Sequence, residues 1–163
     1  MTTIGLLSDT HNYLDDAVFH HFKDCDEIWH AGDIGSAPVA EKLASFKPFK
    51  AVYGNIDGYD IRSVYPESLR FTCEKVNVFM IHIGGYPGKY HPQVKKELKE
   101  HPTQLFICGH SHILKIMYDQ SYECLHINPG AAGKQGWHKV RTLVRFSIDQ
   151  KEIKDCVVIE LER

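Results

Sequence analysis

Five groups of potential metal ligands follow short apolar runs in the first two thirds of the sequence. Together they supply two carboxylates, four imidazoles and one amide: Asp9, His11, Asp33, Asn55, His82, His110 and His112. This mixture of nitrogen and oxygen donors suits manganese, iron, zinc or cobalt better than calcium or magnesium. Seven ligands are too many for one tetrahedral ion. The set therefore predicts two ions that share Asp33, because a carboxylate has two oxygens and can bridge two cations.

Most of these residues have an ordinary structural explanation when each is considered alone. Asp9 is in a position to cap a helix, the Gly-Asp pair at Asp33 is a common turn, and Asn55 suits a left-handed turn. His82, at the end of an apolar run, is more often a hydrogen-bonded structural residue. The motif Gly-His-Ser-His at 109–112 is a stronger signal, because paired imidazoles directly after a strand frequently bind metal. The metal prediction therefore depends on the ordered set.

The first third of the chain alternates short apolar runs with segments of helical periodicity. Strands are predicted at 3–8, 27–30 and 49–53, and helices at 14–22 and 36–46, the second capped by Ser36. This alternation is typical of βαβ units and a parallel sheet. Ligands bind at the carboxyl ends of such strands. The groups at Asp9, Asp33 and Asn55 are therefore predicted to meet in one crevice.

The pattern changes after residue 68. Strands are predicted at 69–75, 76–82 and 105–108, a helix at 92–100, and two hairpins at 113–127 and 140–161. Such meanders favour a second, largely antiparallel sheet packed on the first, with helices outside. The predicted fold class is α/β, a four-layer α/β/β/α sandwich of two mixed sheets with flanking helices. No repeat or linker interrupts the chain, so residues 1–163 are predicted to form a single domain.

Composition excludes several classes of protein. The chain has 163 residues, 43% of them hydrophobic and 25% charged, with a formal net charge of -2. No apolar run approaches the roughly 20 residues that a membrane helix needs, and no basic segment precedes an apolar one at the N-terminus. Five cysteines without a CxxC pair predict reduced thiols. We therefore expect a cytoplasmic protein without membrane contacts, and the absence of a basic stripe argues against tight nucleic-acid binding.

The ordered motifs resemble those of the calcineurin-like metallophosphoesterases. The matching segments are Asp9-x-His11, Gly32-Asp33, Gly54-Asn55-x-Asp57, His82, Gly109-His110-x-His112 and Asn128-Pro129-Gly130, so the resemblance runs from Ile4 to about Gly130. The small size and the Gly-Asn-Ile-Asp form are similar to the short bacterial and archaeal phosphodiesterase branch. The retromer scaffold subunit of eukaryotes belongs to the same branch.

The resemblance implies two divalent ions, with manganese favoured and iron, zinc, nickel or cobalt as alternatives. Asp9, His11, Asp33 and His112 would hold the first ion, and Asp33, Asn55, His82 and His110 the second. Asp33, Asn55 and His82 are the predicted catalytic residues, and Asn55 would also touch a phosphate oxygen. The expected reaction is hydrolysis of a P–O bond by a hydroxide bridging the two ions. The expected activity is that of a phosphodiesterase on a small phosphoester.

The sequence departs from the family pattern at three places. Ile56 occupies the position where many relatives have a histidine that assists the leaving group, and Asp57 is expected to orient the loop rather than to donate a proton. Ile83 separates His82 from the glycine that usually follows it. The loop 84–90 is rich in glycine and aromatic residues, and we expect Lys89 and the tyrosines, Tyr86 among them, to face substrate. A solvated loop is the alternative.

Two other functions compete with this prediction. A non-catalytic protein-binding scaffold of the same fold is the main alternative, but all seven ligand positions carry competent ligands, which favours the enzyme. A nuclease is the second, restricted by the net charge to a nucleotide or strand end. Exposed strand edges make a homodimer possible. His30, His126 and His138 are interpreted as structural histidines, although His138 lies in a loop from which it would reach the site.

Overall fold

The computed structural model describes residues 1–162 and follows the predicted order of elements closely. The strands are β1 Thr2–Leu7, β2 Glu27–His30, β3 Phe49–Ala51, β4 Ser68–Cys73, β5 Val76–Ile81, β6 Leu105–Ile107, β7 Lys115–Asp119, β8 Cys124–Asn128, β9 Arg141–Asp149 and β10 Glu152–Leu161. The helices are α1 Asp16–His21, α2 Ala37–Phe46, α3 Tyr59–Arg62 and α4 Pro92–Glu100. The short helix α3 was not predicted. Among residues 1–162, no helix is long and apolar enough to cross a bilayer.

The strands form two five-stranded mixed sheets. The first sheet has the order β10-β9-β1-β2-β3, and the second has the order β4-β5-β6-β8-β7. Strands β1, β2 and β3 are parallel, as predicted. The expectation of a largely antiparallel second sheet is wrong, because β6 pairs in parallel with both β5 and β8. The hairpin β9–β10 instead joins the first sheet, where β9 runs antiparallel to β1.

Apolar side chains fill three layers around these sheets. Between the sheets, Trp29 and Phe146 of the first sheet belong to one buried cluster with Val78 and Leu105 of the second. A second cluster joins α1, α2 and α3 to the outer face of the first sheet. A third joins α4 to the outer face of the second sheet through Phe106 and its neighbours. The predicted α/β/β/α sandwich is therefore confirmed.

One detail of the sequence interpretation, the cap of helix α2, takes a different form. The helix α2 begins after Ser36, but the hydroxyl of Ser36 donates to the side-chain oxygen of Asn12 instead of capping the helix.

All five cysteines are free, as expected, and four of them are buried. Burial is the main cause that raises the pKa of Cys25 to about 11, which keeps this thiol protonated at neutral pH.

His126 is a buried histidine that should make stability depend on pH. Its side chain is fully buried beside the rings of Tyr90 and Phe106, with Nδ1 3.1 Å from the Tyr90 hydroxyl, and burial lowers its pKa from 6.5 to about 4. The unfolded chain therefore binds a proton that the folded protein excludes as the pH falls from about 6.5 to 4, so stability is lost over that range. We expect His126→Gln to reduce the loss between pH 7 and pH 5 by about 1–2 kcal/mol.

Urea unfolding at both pH values measures this difference. His20→Gln, which removes an exposed histidine, is the matched control and should leave the pH dependence unchanged. An equal loss of stability in the wild-type protein and in His126→Gln would contradict the prediction.

Candidate metal centre

The predicted ligands lie just beyond the carboxyl ends of β1, β2, β3, β5 and β6. Five of the seven have a left-handed backbone with φ between 44° and 75°: Asp9, His11, Asp33, His110 and His112. This conformation is rare for residues other than glycine and has to be stabilised by surrounding contacts. The amide of Asp9 donates to the Gly32 carbonyl at 2.9 Å and that of His11 to the Asp33 carbonyl at 3.0 Å. These bonds tie the loops after β1 and β2 together.

One group of ligand atoms surrounds Asp9, which is completely buried. Its Oδ1 lies 3.2 Å from Nε2 of His112 and 3.6 Å from Nε2 of His11. The other oxygen, Oδ2, accepts hydrogen bonds from the Ser8 hydroxyl at 2.6 Å and from the His110 amide at 3.1 Å. Asp9 therefore has one oxygen fixed by the protein and one directed at two imidazoles. Asp9, His11 and His112 together form a candidate cation site.

A second candidate cation site is formed by Asp33, His82 and His110. Oδ2 of Asp33 lies 3.1 Å from Nε2 of His82 and 3.3 Å from Nε2 of His11, so this oxygen faces both groups. Its Oδ1 accepts the amide of Ile56 at 3.0 Å. The side-chain oxygen of Asn55 lies 3.1 Å from Nδ1 of His110. All seven predicted ligands are thus brought together at one end of the two sheets.

Three buried atoms in this cluster have no hydrogen-bond partner among residues 1–162. They are Oδ1 of Asp9, Nε2 of His11 and Nε2 of His82. An unpaired polar atom in the interior is unfavourable by about 1–3 kcal/mol, so three such atoms in one cluster indicate missing partners. Divalent cations at the two candidate sites would satisfy all three, with Asp9 and His11 in one site and His82 in the other, because carboxylate oxygen and imidazole nitrogen are their normal donors. The residues therefore fit a metal ion.

The aspartates and histidines of the cluster shift one another's pKa values. Burial opposes ionisation of both Asp9 and Asp33, but the surrounding histidines outweigh it and hold the pKa of each carboxyl well below its usual range. The contact with Asp33, together with Asp9, raises the pKa of His11 to about 9. Burial lowers the pKa of His110. The carboxylates are therefore ionised at neutral pH, as metal ligands must be.

Neighbouring groups fix the orientation of the imidazoles. Nδ1 of His82 lies 2.7 Å from the Ala31 carbonyl, which leaves its Nε2 facing the two aspartates. Nδ1 of His112 lies 3.3 Å from Nδ1 of His138, whose Nε2 lies 2.8 Å from the Gly133 carbonyl. Such outer contacts set the tautomer and angle of ligating histidines. His138 thus contacts the site, as its position in the sequence had suggested, and does so through His112.

His30 has a different role. It is completely buried, with Nε2 3.1 Å from the Thr10 hydroxyl and Nδ1 accepting the amide of Gly32. Burial lowers its pKa to about 3, so the ring is neutral at physiological pH. His30 therefore supports the loops that carry Asp9 and Asp33, as expected for a structural histidine.

A cleft of about 490 Å³ opens beside this cluster. Its walls include Asn55, Arg62, His82, Ile83 and His91. Arg62 belongs to the unpredicted helix α3, and its guanidinium donates to the carbonyl of Asn55 at 3.3 Å. Helix α3 has only 4 residues, too few for a periodic pattern, so the sequence carried no signal for this cation.

The loop 84–90 contacts the histidine motif through Tyr86. Tyr86 donates its hydroxyl to Ser111, between His110 and His112, and Lys89 is exposed. Tyr86 therefore borders the candidate site by supporting the histidine motif. Contact of Tyr86 and Lys89 with substrate stays a prediction. Ser111 is also held by Asn128, whose side-chain amide donates to it at 3.1 Å and to the Gly109 carbonyl at 3.0 Å.

Asp57 organises the loops around Asp33 and Asn55. Its buried carboxylate accepts three backbone amides, from Ile34 at 3.2 Å, Gly35 at 2.9 Å and Gly54 at 2.8 Å. We expect Asp57→Asn to destabilise the protein by about 2–3 kcal/mol, because an amide has one acceptor oxygen and its NH2 group would face backbone donors. It should also weaken binding of the metal ion nearest Asn55.

Urea unfolding and metal titration test this expectation. Asp60→Asn is the graded control, because the exposed carboxylate of Asp60 accepts one amide, from Ala37 at 2.9 Å, and should have a smaller effect. Equal effects of the two substitutions would contradict the role assigned to Asp57.

The fold and this site define a class of protein. A model of the calcineurin-like phosphoesterase superfamily domain matches residues 2–151, and the chain therefore belongs to that family. Family membership and the two candidate cation sites identify a metal-dependent phosphoesterase. A probable metallophosphoesterase of Methanothermobacter thermautotrophicus is 32% identical over 134 residues, which cover 78% of this chain and 76% of the relative.

Solved structures have the same fold. A novel archaeal phosphodiesterase is 21% identical with a TM-score of 0.76, over 96% of this chain and 99% of that one. Vps29 of Chaetomium thermophilum is 14% identical with a TM-score of 0.79, over 99% of this chain and 97% of that one. A predicted phosphoesterase of Streptococcus pneumoniae is 21% identical with a TM-score of 0.75, over 98% and 89%.

Proposed function

We propose that the protein is a phosphodiesterase that binds two divalent ions. The observation that carries this proposal is the convergence of two carboxylates and four imidazoles, three of whose buried atoms lack a partner among residues 1–162. Asp9, His11 and His112 would hold one ion, and His82, His110 and Asn55 the other. Asp33 would contact both, because its Oδ2 faces His11 and His82 alike. Manganese is the proposed native ion.

Divalent ions held there would lower the pKa of a bound water and neutralise negative charge on the phosphate. The chain contributes the other requirements. Asn55 would orient a phosphate oxygen, and the cation of Arg62 lines the same cleft, where it would attract an anionic substrate. His82 is fixed by the Ala31 carbonyl and keeps its position while a substrate enters. Asp33, Asn55 and His82 are the proposed catalytic residues.

The leaving group restricts the substrate. Ile56, half exposed, stands where many relatives carry a histidine, so this motif provides no proton donor. Leaving groups that depart as stable anions need none. We therefore expect the metal-supplied protein to hydrolyse bis(p-nitrophenyl) phosphate at least about a hundredfold faster, in kcat/KM, than glycerol phosphate, because general acid catalysis contributes about 10²–10⁴-fold.

Steady-state kinetics with both substrates tests the function and the missing acid together. Ile56→His should raise activity on the alkyl ester more than on the nitrophenyl ester. Hydrolysis of glycerol phosphate at a similar rate to the nitrophenyl diester would contradict the proposal, as would no activity on any diester with manganese, zinc, iron, nickel or cobalt.

A protein-binding scaffold is the second candidate function. The observation in its favour is the exposure of three apolar side chains on and near the edge strand β7, those of Ile113, Met117 and Tyr118. Exposed apolar patches mark interaction sites. The retained ligands favour the enzyme, because a scaffold does not need them. Copurification of a stoichiometric protein partner, with no hydrolysis by the metal-loaded chain, would favour the scaffold.

The remaining sequence expectations belong to the same proposal. We take residues 1–163 as one phosphoesterase domain acting in the cytoplasm on a small phosphoester, with a nucleotide or strand end as the only nucleic-acid substrate. The edge of β7 is the candidate surface for a homodimer. Sedimentation analysis tests the oligomeric state, and limited proteolysis tests the single domain, which should resist cleavage throughout.

A further inference from the structure

A second, smaller cleft lies at the histidine motif of the cluster. It has a volume of about 300 Å³ and is lined by His110, Ser111, His112, Ile113, Trp137 and His138. The first cleft contains Asn55, and the second contains His110, whose Nδ1 lies 3.1 Å from the Asn55 side chain. A phosphate bound at the cluster would therefore adjoin two separate clefts.

The two clefts differ in chemistry. The first presents polar and charged groups, among them Arg62, Glu67 and His91. The second presents an indole and an aliphatic side chain, and both are exposed: Trp137 is 101% accessible and Ile113 is 62% accessible. The exposed indole of Trp137 is therefore available to pack against a molecule bound beside the cluster.

Close packing of the residue before it, Gly136, places Trp137 beside the candidate metal centre. Gly136 has φ of +124°, and a β-carbon there would overlap the ring of His112. The loop therefore packs its backbone directly against a proposed ligand. The same loop is anchored farther back, where the Gly133 amide donates to the Asp9 carbonyl at 3.1 Å. The residue after Gly136 thus lies beside the cluster, with its side chain free to contact a bound molecule.

We propose that Trp137 is a stacking surface for a nucleobase, which makes the substrate a nucleotide phosphodiester. The inference rests on the proposed phosphodiesterase function. An indole face, an aliphatic side chain and an adjoining phosphate site are the features that recognise a base attached to a phosphate, because every base has a flat π-surface that stacks on aromatic side chains. The polar cleft beside Arg62 receives the second, anionic or sugar substituent of the diester.

This proposal can be tested with two ligands, of which one carries a base and the other does not. Adenosine 5′-monophosphate and ribose 5-phosphate carry the same phosphate, and calorimetry on the manganese-loaded protein measures both affinities. We expect the nucleotide to bind at least about tenfold more tightly, as one base–aromatic stack allows. Trp137→Ala should reduce the nucleotide's affinity to that of ribose 5-phosphate without changing the latter, and Trp137→Phe should retain most of the preference.

Fluorescence supplies an independent signature. The chain has two tryptophans, and Trp29 is completely buried, so quenching by a stacked base should come from Trp137 and disappear in Trp137→Phe. Equal affinities of the two ligands in the wild-type protein, or a base preference that survives Trp137→Ala, would overturn the proposal. If Trp137 instead contacts a partner protein, the nucleotide and ribose 5-phosphate should bind with equal affinity.

The failure of this inference differs from failure of the proposed function. Hydrolysis of bis(p-nitrophenyl) phosphate without a base preference leaves the phosphodiesterase in place and removes the nucleobase site. A base preference that depends on Trp137, without hydrolysis of any diester, establishes the nucleobase site and removes the proposed reaction. Trp137 makes no core contact, so Trp137→Ala should leave the unfolding midpoint unchanged.

Discussion

Asp33→Asn is expected to lower kcat/KM for bis(p-nitrophenyl) phosphate at least about a thousandfold, a loss of about 4 kcal/mol in transition-state stabilisation. Asp33 Oδ2 lies between Nε2 of His11 and Nε2 of His82 and is the atom positioned to contact both ions. An amide at this place has one neutral oxygen, and its NH2 group repels a cation. Steady-state kinetics with added manganese measures the activity, and elemental analysis measures the metal content, which should fall from two ions per chain to at most one.

The matched control is Asp24→Asn, which removes one exposed carboxylate on the helical side of the first sheet and changes the net charge equally. It should retain wild-type activity and two ions. If Asp33→Asn kept more than about a tenth of the wild-type activity, or still bound two ions, the shared role of this carboxylate would be wrong.

Supplying a divalent transition metal is expected to raise the thermal unfolding midpoint of the chelated protein by about 8–16 °C. Without a cation, the two buried carboxylates and the unpaired nitrogens of His11 and His82 are balanced only by one another. Binding to the folded state at about a thousand times Kd adds about 4 kcal/mol. For a domain of this size, each kcal/mol corresponds to about 2–4 °C.

Calorimetric unfolding in chelator, followed by addition of manganese or zinc in excess, measures this shift. Asp33→Asn serves as the internal comparison and should lose at least half of the stabilisation. Magnesium should produce a much smaller shift, because imidazole nitrogens suit transition metals and magnesium prefers oxygen ligands. A chelated protein with an unchanged midpoint after addition of every transition metal would exclude the proposed centre.

The sequence determined the positions of the candidate ligands because each group of them follows a strand. A strand buried on both faces is visible locally as an apolar run, and the residue that follows it lies at a predictable edge of the sheet. Asp9, Asp33 and Asn55 could therefore be assigned to one crevice without coordinates. The helix α4 was predicted at its observed bounds for a similar reason, since Pro92 marks its first turn.

Only the tertiary structure decided how the strands combine. The hairpin β9–β10 joins the first sheet through pairs such as Thr2 with Ile148, which are 146 residues apart in the chain. Either sheet would accept an antiparallel hairpin, and no local pattern selects between them. The same applies to His138, Arg62 and Trp137. Their places beside the metal centre depend on loops whose packing is set by distant contacts, so residue type alone gave no measure of their distance from it.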